Sequence, residues 1–244
     1  MCGEDAIVVE FGDRIDPVIN DRVYALAETI EAAGNPSVVE LVPTYRSLLV
    51  QYDAELSTVD EMTAFVNDRL ATKSRSAGRQ TNGPSDPGPR RIFELPVSYG
   101  GEDGQDLDDV ASHAGLTAAE VVAIHSGTDY RVYMLGFAPG FPYLGGMDER
   151  IAVPRLTTPR LRVPAGSVGI AESQTGVYPL ASPGGWRLIG RTPVSLFDPN
   201  ADPPVPFIPG SFIRFVPVSS EVAASVAEEV AAGTYRVRVE GQGQ

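Results

Sequence analysis

The chain contains very little cysteine, since Cys2 is the only one among its 244 residues. A single cysteine cannot close an internal disulfide, and its place beside the N-terminus makes it a poor nucleophile candidate. The first residues are acidic and lack the apolar segment of an export signal, and no run approaches the roughly 18 apolar residues of a membrane helix. We therefore predict a cytoplasmic protein that does not bind a membrane.

Lysine and histidine are almost as scarce. Lys73 is the only lysine, so the chain has neither a GxxxxGK[ST] phosphate loop nor a lysine for biotin attachment. The two histidines, His113 and His125, fall on separate predicted helices with no cysteine cluster near them, and we predict no metal site. A GxSxG turn is also missing, and spacing alone does not assemble a Ser/His/Asp triad.

The charge of the chain is strongly negative but unevenly placed. A formal net charge of −13 argues against general binding to nucleic acid. Between residues 130 and 197 the sign reverses, because seven arginines face only three acidic residues. Those arginines are Arg131, Arg150, Arg155, Arg160, Arg162, Arg187 and Arg191. Because a guanidinium group matches carboxylate and phosphate, this region predicts an anionic ligand or an acidic partner surface.

Residues 136–191 combine glycine, proline and aromatic residues in two segments, GFAPGFPYLGG (136–146) and TPRLRVPAGSVGIAESQTGVYPLASPGGWRLIGR (158–191). A flexible linker would lack the apolar residues, and a helix would not tolerate the prolines. The pattern favours short strands joined by tight turns, as in a small barrel or sandwich. It leaves open whether the loops form a rigid binding surface or only meet the needs of tight turns.

The N-terminal part predicts a small α/β domain over residues 1–73. The pattern indicates a strand at 6–11, a helix begun by Asp16-Pro17, strands at 38–43 and 47–53, and a helix with a Ser57/Asp60 capping box. This β-α-β-β-α order is most of a ferredoxin-like split unit. Residues 74–89 hold no large apolar side chain, and we predict a linker there.

Residues 90–244 predict a mostly-β domain with two inserted helices and a C-terminal helix. The second inserted helix is capped by Thr117 and Glu120. The predicted strands are 91–99, 130–137, 193–199, 211–218 and a closing strand at 234–240, and the C-terminal helix covers roughly 220–232.

Three long motifs carry a resemblance to a known family. GFAPGFPYLGG, TPR-x-RVPAGSV-x-IA (158–171) and QTG-x-YP-x-x-SPGGW-x-x-IGRTP (174–193) are similar to the B subunit of the bacterial 5-oxoprolinase complex. The same family is known as Kip-inhibitor-like or as allophanate hydrolase subunit 1. The resemblance extends from about residue 6 to residue 218 and leaves out the 219–244 tail. This chain departs from the family at Glu172, where a glycine is expected.

The resemblance implies a fold, partners and a reaction. The C-terminal domain is expected to be a cyclophilin-like barrel. It is expected to pack against the C subunit of 5-oxoprolinase, and the A subunit is expected to complete the complex. The implied reaction is the ATP-dependent opening of 5-oxo-L-proline to L-glutamate, a hydrolysis of a cyclic amide C–N bond. The complex, and not this chain alone, is expected to bind ATP.

The resemblance also implies site residues. The expected catalytic residues are His125, Arg160, Gln174 and Arg191. The expected substrate-binding residues are Phe137, Phe141, Tyr143, Arg155, Gly166, Ser167, Tyr178, Ser182, Gly184, Gly185 and Trp186. In this scheme Arg160 and Arg191 hold a carboxylate or phosphoryl group, the backbone amides at 166–167 and 184–185 line an oxyanion site, and Gln174 and His125 orient substrate or transfer a proton.

Several alternatives stay open on the sequence. His125 lies in the last turn of its predicted helix, where it fits equally a residue that caps carbonyls or fills the core. The aromatic residues fit the core of a barrel as well as a pocket wall. For the whole chain, the alternatives are a regulatory protein that inhibits a kinase, as the Kip inhibitor does, and a carboxyltransferase partner that acts on urea-type amides.

Overall fold

The computed structural model describes residues 5–77 and 90–241, and the chain divides into two compact units at about residue 87. The first unit contains β1 (Ala6–Glu10), α1 (Pro17–Ala32), β2 (Val38–Pro43), β3 (Ser47–Tyr52) and α2 (Val59–Ala77). Its three strands are antiparallel in the order β1-β3-β2, the arrangement of a split β-α-β unit. The core joins Val23, Leu26 and Ile30 of α1 to Leu48 and Val50 of β3 and to Met62 and Val66 of α2.

The two helices of this unit begin at caps, one predicted correctly and one not. The Asp16 carboxylate accepts hydrogen bonds from the backbone N–H groups of Val18 and Ile19, and Pro17 follows it as predicted. The Ser57/Asp60 capping box is wrong by one residue. Thr58 N–H donates to the Glu61 carboxylate at 2.9 Å, and Glu61 N–H donates to Thr58 Oγ1 at 3.3 Å. Glutamate has the additional methylene that reaches back across the turn.

The predicted linker begins too early at residue 74, because α2 continues to Ala77. The rest of that predicted segment, 78–89, lies outside the described residues.

The second unit begins with β4 (Ile92–Tyr99), α3 (Leu107–Ala114) and α4 (Ala118–Ser126). It continues with β5 (Asp129–Leu135), β6 (Pro142–Gly145), a 3₁₀ turn (Glu149–Ile151), β7 (Arg160–Val163), β8 (Ser167–Ala171) and β9 (Gln174–Val177). The last elements are β10 (Ser182–Gly184), β11 (Arg187–Arg191), β12 (Phe212–Pro217), α5 (Ser220–Ala231) and β13 (Arg238–Glu240).

The main sheet of the second unit is barrel-like and nearly closed. Its order is β6-β5-β12-β4-β11-β8-β9, with β13 added to β4, and its two end strands β6 and β9 contact each other. All neighbours are antiparallel except β12 and β4. Strands β7 and β10 form a separate two-stranded ribbon. The fold is therefore mixed α/β with a barrel-like sheet, and its more specific description as cyclophilin-like stays a prediction.

Most predicted elements of this unit are present, with one exception. Thr117 and Glu120 form the predicted capping box, and the predicted helix near 220–232 is α5. The strand predicted at 193–199 is wrong, because this segment is irregular. Pro193 has no N–H for a ladder, and the local polar groups bond within the turn: Val194 N–H donates to Thr192 Oγ1, and Ser195 Oγ donates to the Phe197 carbonyl. Within the described part of the chain, no helix is both long and apolar enough to cross a bilayer.

Candidate functional site

Five aromatic side chains from the Gly/Pro-rich segments form one group, here called the aromatic cluster: Phe137, Phe141, Tyr143, Tyr178 and Trp186. Phe141 is its centre, with ring-centroid distances of 5.5 Å to Phe137, 5.1 Å to Tyr143, 6.1 Å to Tyr178 and 6.0 Å to Trp186. All four contacts are edge-to-face, the favourable geometry for aromatic pairs. Phe141 is buried, whereas Phe137 is 72% exposed. The cluster therefore extends from the interior of the unit to solvent.

The loop between β5 and β6 holds Phe137 in its exposed position. Gly136 N–H donates to the Phe141 carbonyl at 3.1 Å, which closes the loop. Gly140 has φ +79, and a Cβ there would lie 2.5 Å from the Leu196 carbonyl oxygen, so the loop fits only glycine at this point. Phe137 itself has φ 62, a left-handed conformation that is uncommon for a bulky residue. Such backbone strain persists where the surroundings impose it and concentrates at functional sites.

The inner end of the cluster rests on a pair of glycines. Gly169 of β8 and Gly176 of β9 are paired across the hairpin. A Cβ on Gly169 would lie 3.1 Å from Trp186 Cβ, and a Cβ on Gly176 would lie 3.1 Å from the Trp186 ring and 3.3 Å from Phe141. The two glycines therefore leave the space that the indole ring occupies, which explains why these two paired positions carry glycine.

Tyr178 brings a hydroxyl group into this apolar setting, where the positive charges of two arginines act on it. Burial raises the pKa of Tyr178, while a hydrogen bond with the Trp186 backbone and the charges of Arg155 and Arg160 act in the opposite direction. Gly184 lies against the same hydroxyl, since a Cβ there would collide with it. Arg155 is exposed. A phenol on which the charges of two arginines act, beside an aromatic wall, is a chemically suitable place for a small carboxylate.

Asp106, which is not among the predicted site residues, holds Arg160 in place. Arg160 Nη2 donates to Asp106 Oδ1 at 2.7 Å, and Arg160 Nη1 donates to the Trp186 carbonyl at 3.4 Å. The other carboxylate oxygen of Asp106 accepts from Leu188 N–H at 2.6 Å. Asp106 is 5% exposed, so a buried carboxylate ties β7 and β11 to the start of α3. The sequence does not single out Asp106, because Asp103, Asp108 and Asp109 lie close to it and the whole segment is typical of an acidic loop.

His125 does not occupy the position of a proton-transfer group, because its side chain is fully buried. Thr175 Oγ1 donates its proton to the Gly169 carbonyl, so His125 Nε2, 2.8 Å away, is the donor to Thr175. His125 Nδ1 then accepts from the Tyr99 hydroxyl at 2.7 Å. Burial lowers the pKa of His125 to about 3, which keeps the ring neutral. The geometry favours the core-filling alternative, and the expected catalytic role stays a prediction.

The amides at 166–167 do not form the expected oxyanion site, because both N–H groups are used inside the protein. Gly166 N–H donates to the Tyr178 carbonyl at 2.7 Å, and Ser167 N–H donates to the Pro164 carbonyl at 3.3 Å. Gly166 is required for packing, since a Cβ would collide with the Thr192 carbonyl oxygen. Gly185 likewise contributes its carbonyl, which accepts from Leu156 N–H at 2.8 Å.

The remaining predicted residues lie at different places. Arg191 is exposed, and its Nε donates to the Ala165 carbonyl at 3.0 Å. It lines a cavity of about 520 Å³ together with Gly166 and the start of α5, and no member of the aromatic cluster is among the residues that line it. Gln174 begins β9 and Ser182 begins β10, both half-buried. Over the two described segments, no group of three His, Cys, Asp or Glu side chains is arranged to hold a metal ion.

Comparison with known proteins identifies the family. The family model "Carboxyltransferase domain, subdomain C and D" matches residues 1–207. The chain belongs to this carboxyltransferase family.

Two members of the family that are similar over nearly their whole length are named as the B subunit of 5-oxoprolinase. The protein from Bacillus subtilis is 43% identical over 94% of this chain and 96% of its own, and that from Escherichia coli O157:H7 is 41% identical over 89% and 94%. These relatives confirm the resemblance predicted from the three motifs. The urea amidolyase of K. lactis has the same fold, with a TM-score of 0.76 at 22% identity, over 97% of this chain and 16% of that larger protein.

Proposed function

We propose that this member of the carboxyltransferase family is one component of a 5-oxoprolinase complex, which opens 5-oxo-L-proline to L-glutamate at the expense of ATP. The proposal depends on one observation, the aromatic cluster with Tyr178, whose hydroxyl is under the electrostatic influence of Arg155 and Arg160. The cluster is built from the Gly/Pro-rich motifs on which the resemblance to the 5-oxoprolinase B subunit was based. The A and C subunits of 5-oxoprolinase are the proposed partners, and the barrel-like unit is the proposed contact with the C subunit.

The chemistry explains why ATP is needed. The lactam is a stable amide, so its carbonyl oxygen first takes the γ-phosphoryl group of ATP and releases ADP. Water then adds to the carbonyl carbon, the ring C–N bond breaks, and the nitrogen takes a proton to leave the γ-acyl phosphate of glutamate. A second water releases phosphate. The substrate and each intermediate carry a carboxylate, which charged hydrogen-bond donors stabilise.

We assign the substrate carboxylate to Arg155 and Arg160 at Tyr178. Two of the five N–H groups of Arg160 are bonded to Asp106 and Trp186, so others remain for a ligand. Arg155 is exposed and its charge acts on the same hydroxyl.

The other site residues complete the assignment. Phe137 and Trp186 supply the apolar wall, Gln174 orients the substrate, and Arg191 binds an anion in its own cavity. ATP is bound by the complex, since this chain has no phosphate loop.

The family match favours one alternative, a carboxyltransferase partner that acts on a urea-type amide. That reaction requires a biotinylated carrier. Binding of a biotinylated carrier protein to the assembled complex, together with transfer of labelled carboxylate, would support this alternative over lactam opening.

Reconstitution tests the proposal. The chain is co-expressed with the A and C subunits, and glutamate release from 5-oxoproline is measured with and without ATP. If the three purified proteins release no glutamate, the proposal is rejected. Arg155→Ala is expected to raise KM for 5-oxoproline about tenfold or more, because it removes a carboxylate contact. Arg162→Ala is the matched control, an exposed arginine in the same segment, with KM expected within about twofold of wild type.

The exposed end of the cluster is tested separately. Phe137→Ala is expected to leave the free energy of unfolding within about 0.5 kcal/mol of wild type, since the side chain is mostly exposed. It is expected to weaken assembly of the complex about tenfold or more, as aromatic anchors at interfaces do. Leu161→Ala is the control, because Leu161 is even more exposed at 93% and is not part of the aromatic cluster.

A further inference from the structure

Among the described residues, no strand pairs with the outer edge of β1 in the first unit. β1 is an end strand of its sheet, and its only strand neighbour among the described residues is β3. Asp5 and Phe11 hydrogen bond to β3 and to the residue before it, and the unbroken register between them makes Ile7 and Val9 face β3 as well. The N–H and C=O groups of Ala6, Val8 and Glu10 therefore point away from the sheet.

A groove lies along this edge. A cavity of about 830 Å³ separates β1 from the first half of α2 and is lined by all of β1 and by helix residues such as Val59, Thr63, Val66 and Leu70. Glu10 is its only charged lining residue. In a complete split unit with six elements, the strand that follows the second helix completes the sheet. Here the described part of the first unit ends with that helix, so an open strand edge and an apolar groove occur side by side.

The opposite edge of the same sheet, formed by β2, is protected against strand pairing. Its register is broken by a bulge between Val38 and Glu40, and it ends at Pro43. Bulges, charges and prolines are the features by which edge strands avoid unwanted partners. β1 has an unbroken register over all five residues, contains no proline and carries a single charge, Glu10, at its end. Within the described part of the first unit, one edge of the sheet is therefore irregular, whereas the other keeps a regular register and has no strand partner.

The charges of the unit indicate what pairs with β1. Residues 5–71 contain thirteen Asp and Glu against four Arg, an excess of nine negative charges. The charged positions next to the groove lining in the sequence are mostly acidic: Asp5, Asp53, Glu55, Asp60 and Asp68, against one base, Arg69. A second copy of the chain would bring equal negative charge to the same edge, which disfavours self-pairing. A strand with basic residues is the complementary occupant.

We infer that the β1 edge binds an extended strand of a partner protein in the complex, by strand addition to the sheet. This inference depends on the multi-subunit complex of the proposed function. The strand supplies apolar side chains to the groove and Lys or Arg at its margins, while its backbone bonds to Ala6, Val8 and Glu10.

Hydrogen exchange tests the inference on the complex of this chain with the A and C subunits. Amide exchange is followed over residues 5–11 in the free chain and in the complex. The result expected is slower exchange by about tenfold or more at Val8 and Glu10 on assembly. Exchange at the free-chain rate in an assembled, active complex would overturn the inference and leave the proposed function standing. Protection in a complex that assembles but releases no glutamate would support the inference and reject the proposed function.

Two substitutions at one position separate backbone pairing from side-chain contacts. Val8→Pro removes the outward N–H, and proline is tolerated at an edge position that faces solvent. It is expected to weaken binding to the partner about tenfold or more, while Val8→Thr keeps the N–H and is expected to bind within about twofold of wild type. Circular dichroism checks that both variants fold. Equal binding by the two variants, or concentration-dependent protection of residues 5–11 in the isolated chain, would overturn the inference.

Discussion

The Nε2 atom of His125 lies 2.8 Å from the hydroxyl oxygen of Thr175, fifty residues further along the chain. The bond joins the C-terminal end of α4 to β9 through the interior of the barrel-like sheet. The imidazole also stacks on Phe215 at a centroid distance of 4.7 Å. A histidine that donates on one side, accepts on the other and packs on a phenyl ring is stable there only in its neutral form.

Protonation of His125 is therefore expected to couple stability to pH. The unfolded chain takes up a proton at His125 below the ordinary pKa of about 6.5, whereas in the folded state burial lowers the pKa to about 3. The stabilisation is present above pH 6.5 and is lost as pH falls, by about 1.4 kcal/mol per pH unit between these values.

The measurement is the free energy of unfolding in urea at pH 7 and pH 5, for wild type and His125→Asn. Wild type is expected to lose about 2 kcal/mol more than the variant over this interval. His113 is present in both proteins, so its contribution cancels when the two pH profiles are compared. Parallel pH profiles would contradict the assignment of a neutral, buried His125.

Two ion pairs of α3 and its N-terminal flank are expected to differ in strength. Asp106→Ala is expected to cost about 3–5 kcal/mol, because it leaves the Arg160 charge and the Leu188 N–H without their buried acceptor. Asp109→Ala removes the carboxylate that accepts from Arg187 at 2.9 Å, but Asp109 is 65% exposed, so the expected cost is about 0–1 kcal/mol. Urea unfolding of both variants at neutral pH is the measurement. Equal losses of unfolding free energy in the two variants would show that the burial of Asp106 does not make its ion pair the stronger one.

Gly176→Ala is expected to displace the indole ring of Trp186. The new methyl group would meet Trp186 at 3.1 Å and Phe141 at 3.3 Å, and overpacking of this kind costs about 1–3 kcal/mol. Trp186 is the only tryptophan in the chain, so its fluorescence reports the displacement directly. Gly185→Ala is the matched control, because a Cβ there has only ordinary contacts near 3.7 Å with Pro159. An unchanged emission spectrum in Gly176→Ala would contradict the packing described.

Glu172→Gly is expected to stabilise the protein. Glu172 is the first central residue of the turn between β8 and β9 and has φ 53, a left-handed conformation that glycine adopts without strain. Its N–H and C=O groups both bond to Val153, which holds it in this conformation. The expected gain is about 0.5–1 kcal/mol in the free energy of unfolding. Ser173→Gly, at a position without positive φ, serves as the control and is expected to give no gain.

Local signals in the sequence predicted the helices and their caps well. Asp16-Pro17 and Thr117 with Glu120 depend only on neighbours within three residues, and the structure shows both. The prediction of a strand at 193–199 was wrong, because apolar content alone does not show whether the N–H groups of a segment find a strand partner. The capping box was predicted one residue too early, because Ser57 with Asp60 and Thr58 with Glu61 have the same spacing in the sequence.

The environment of the site residues could not be predicted from the sequence. The motifs indicated that Arg160 and His125 belong together with the aromatic residues. Only the fold shows that Arg160 is held by Asp106, 54 positions before it, and that His125 is buried between Tyr99 and Thr175. Burial and long-range partners decide whether a polar side chain is available to a ligand. The spacing of residues within a motif predicts neither of them.

Strand β12, which pairs with β5 on one side and β4 on the other, lies at Phe212–Pro217, beyond the residues that the family model matches. A truncated protein that ends at residue 207 would lose the strand through which the β5–β6 hairpin joins β4 in the sheet. A protein truncated where the family match ends would therefore have an open barrel with an exposed interior. Useful truncations must retain β12.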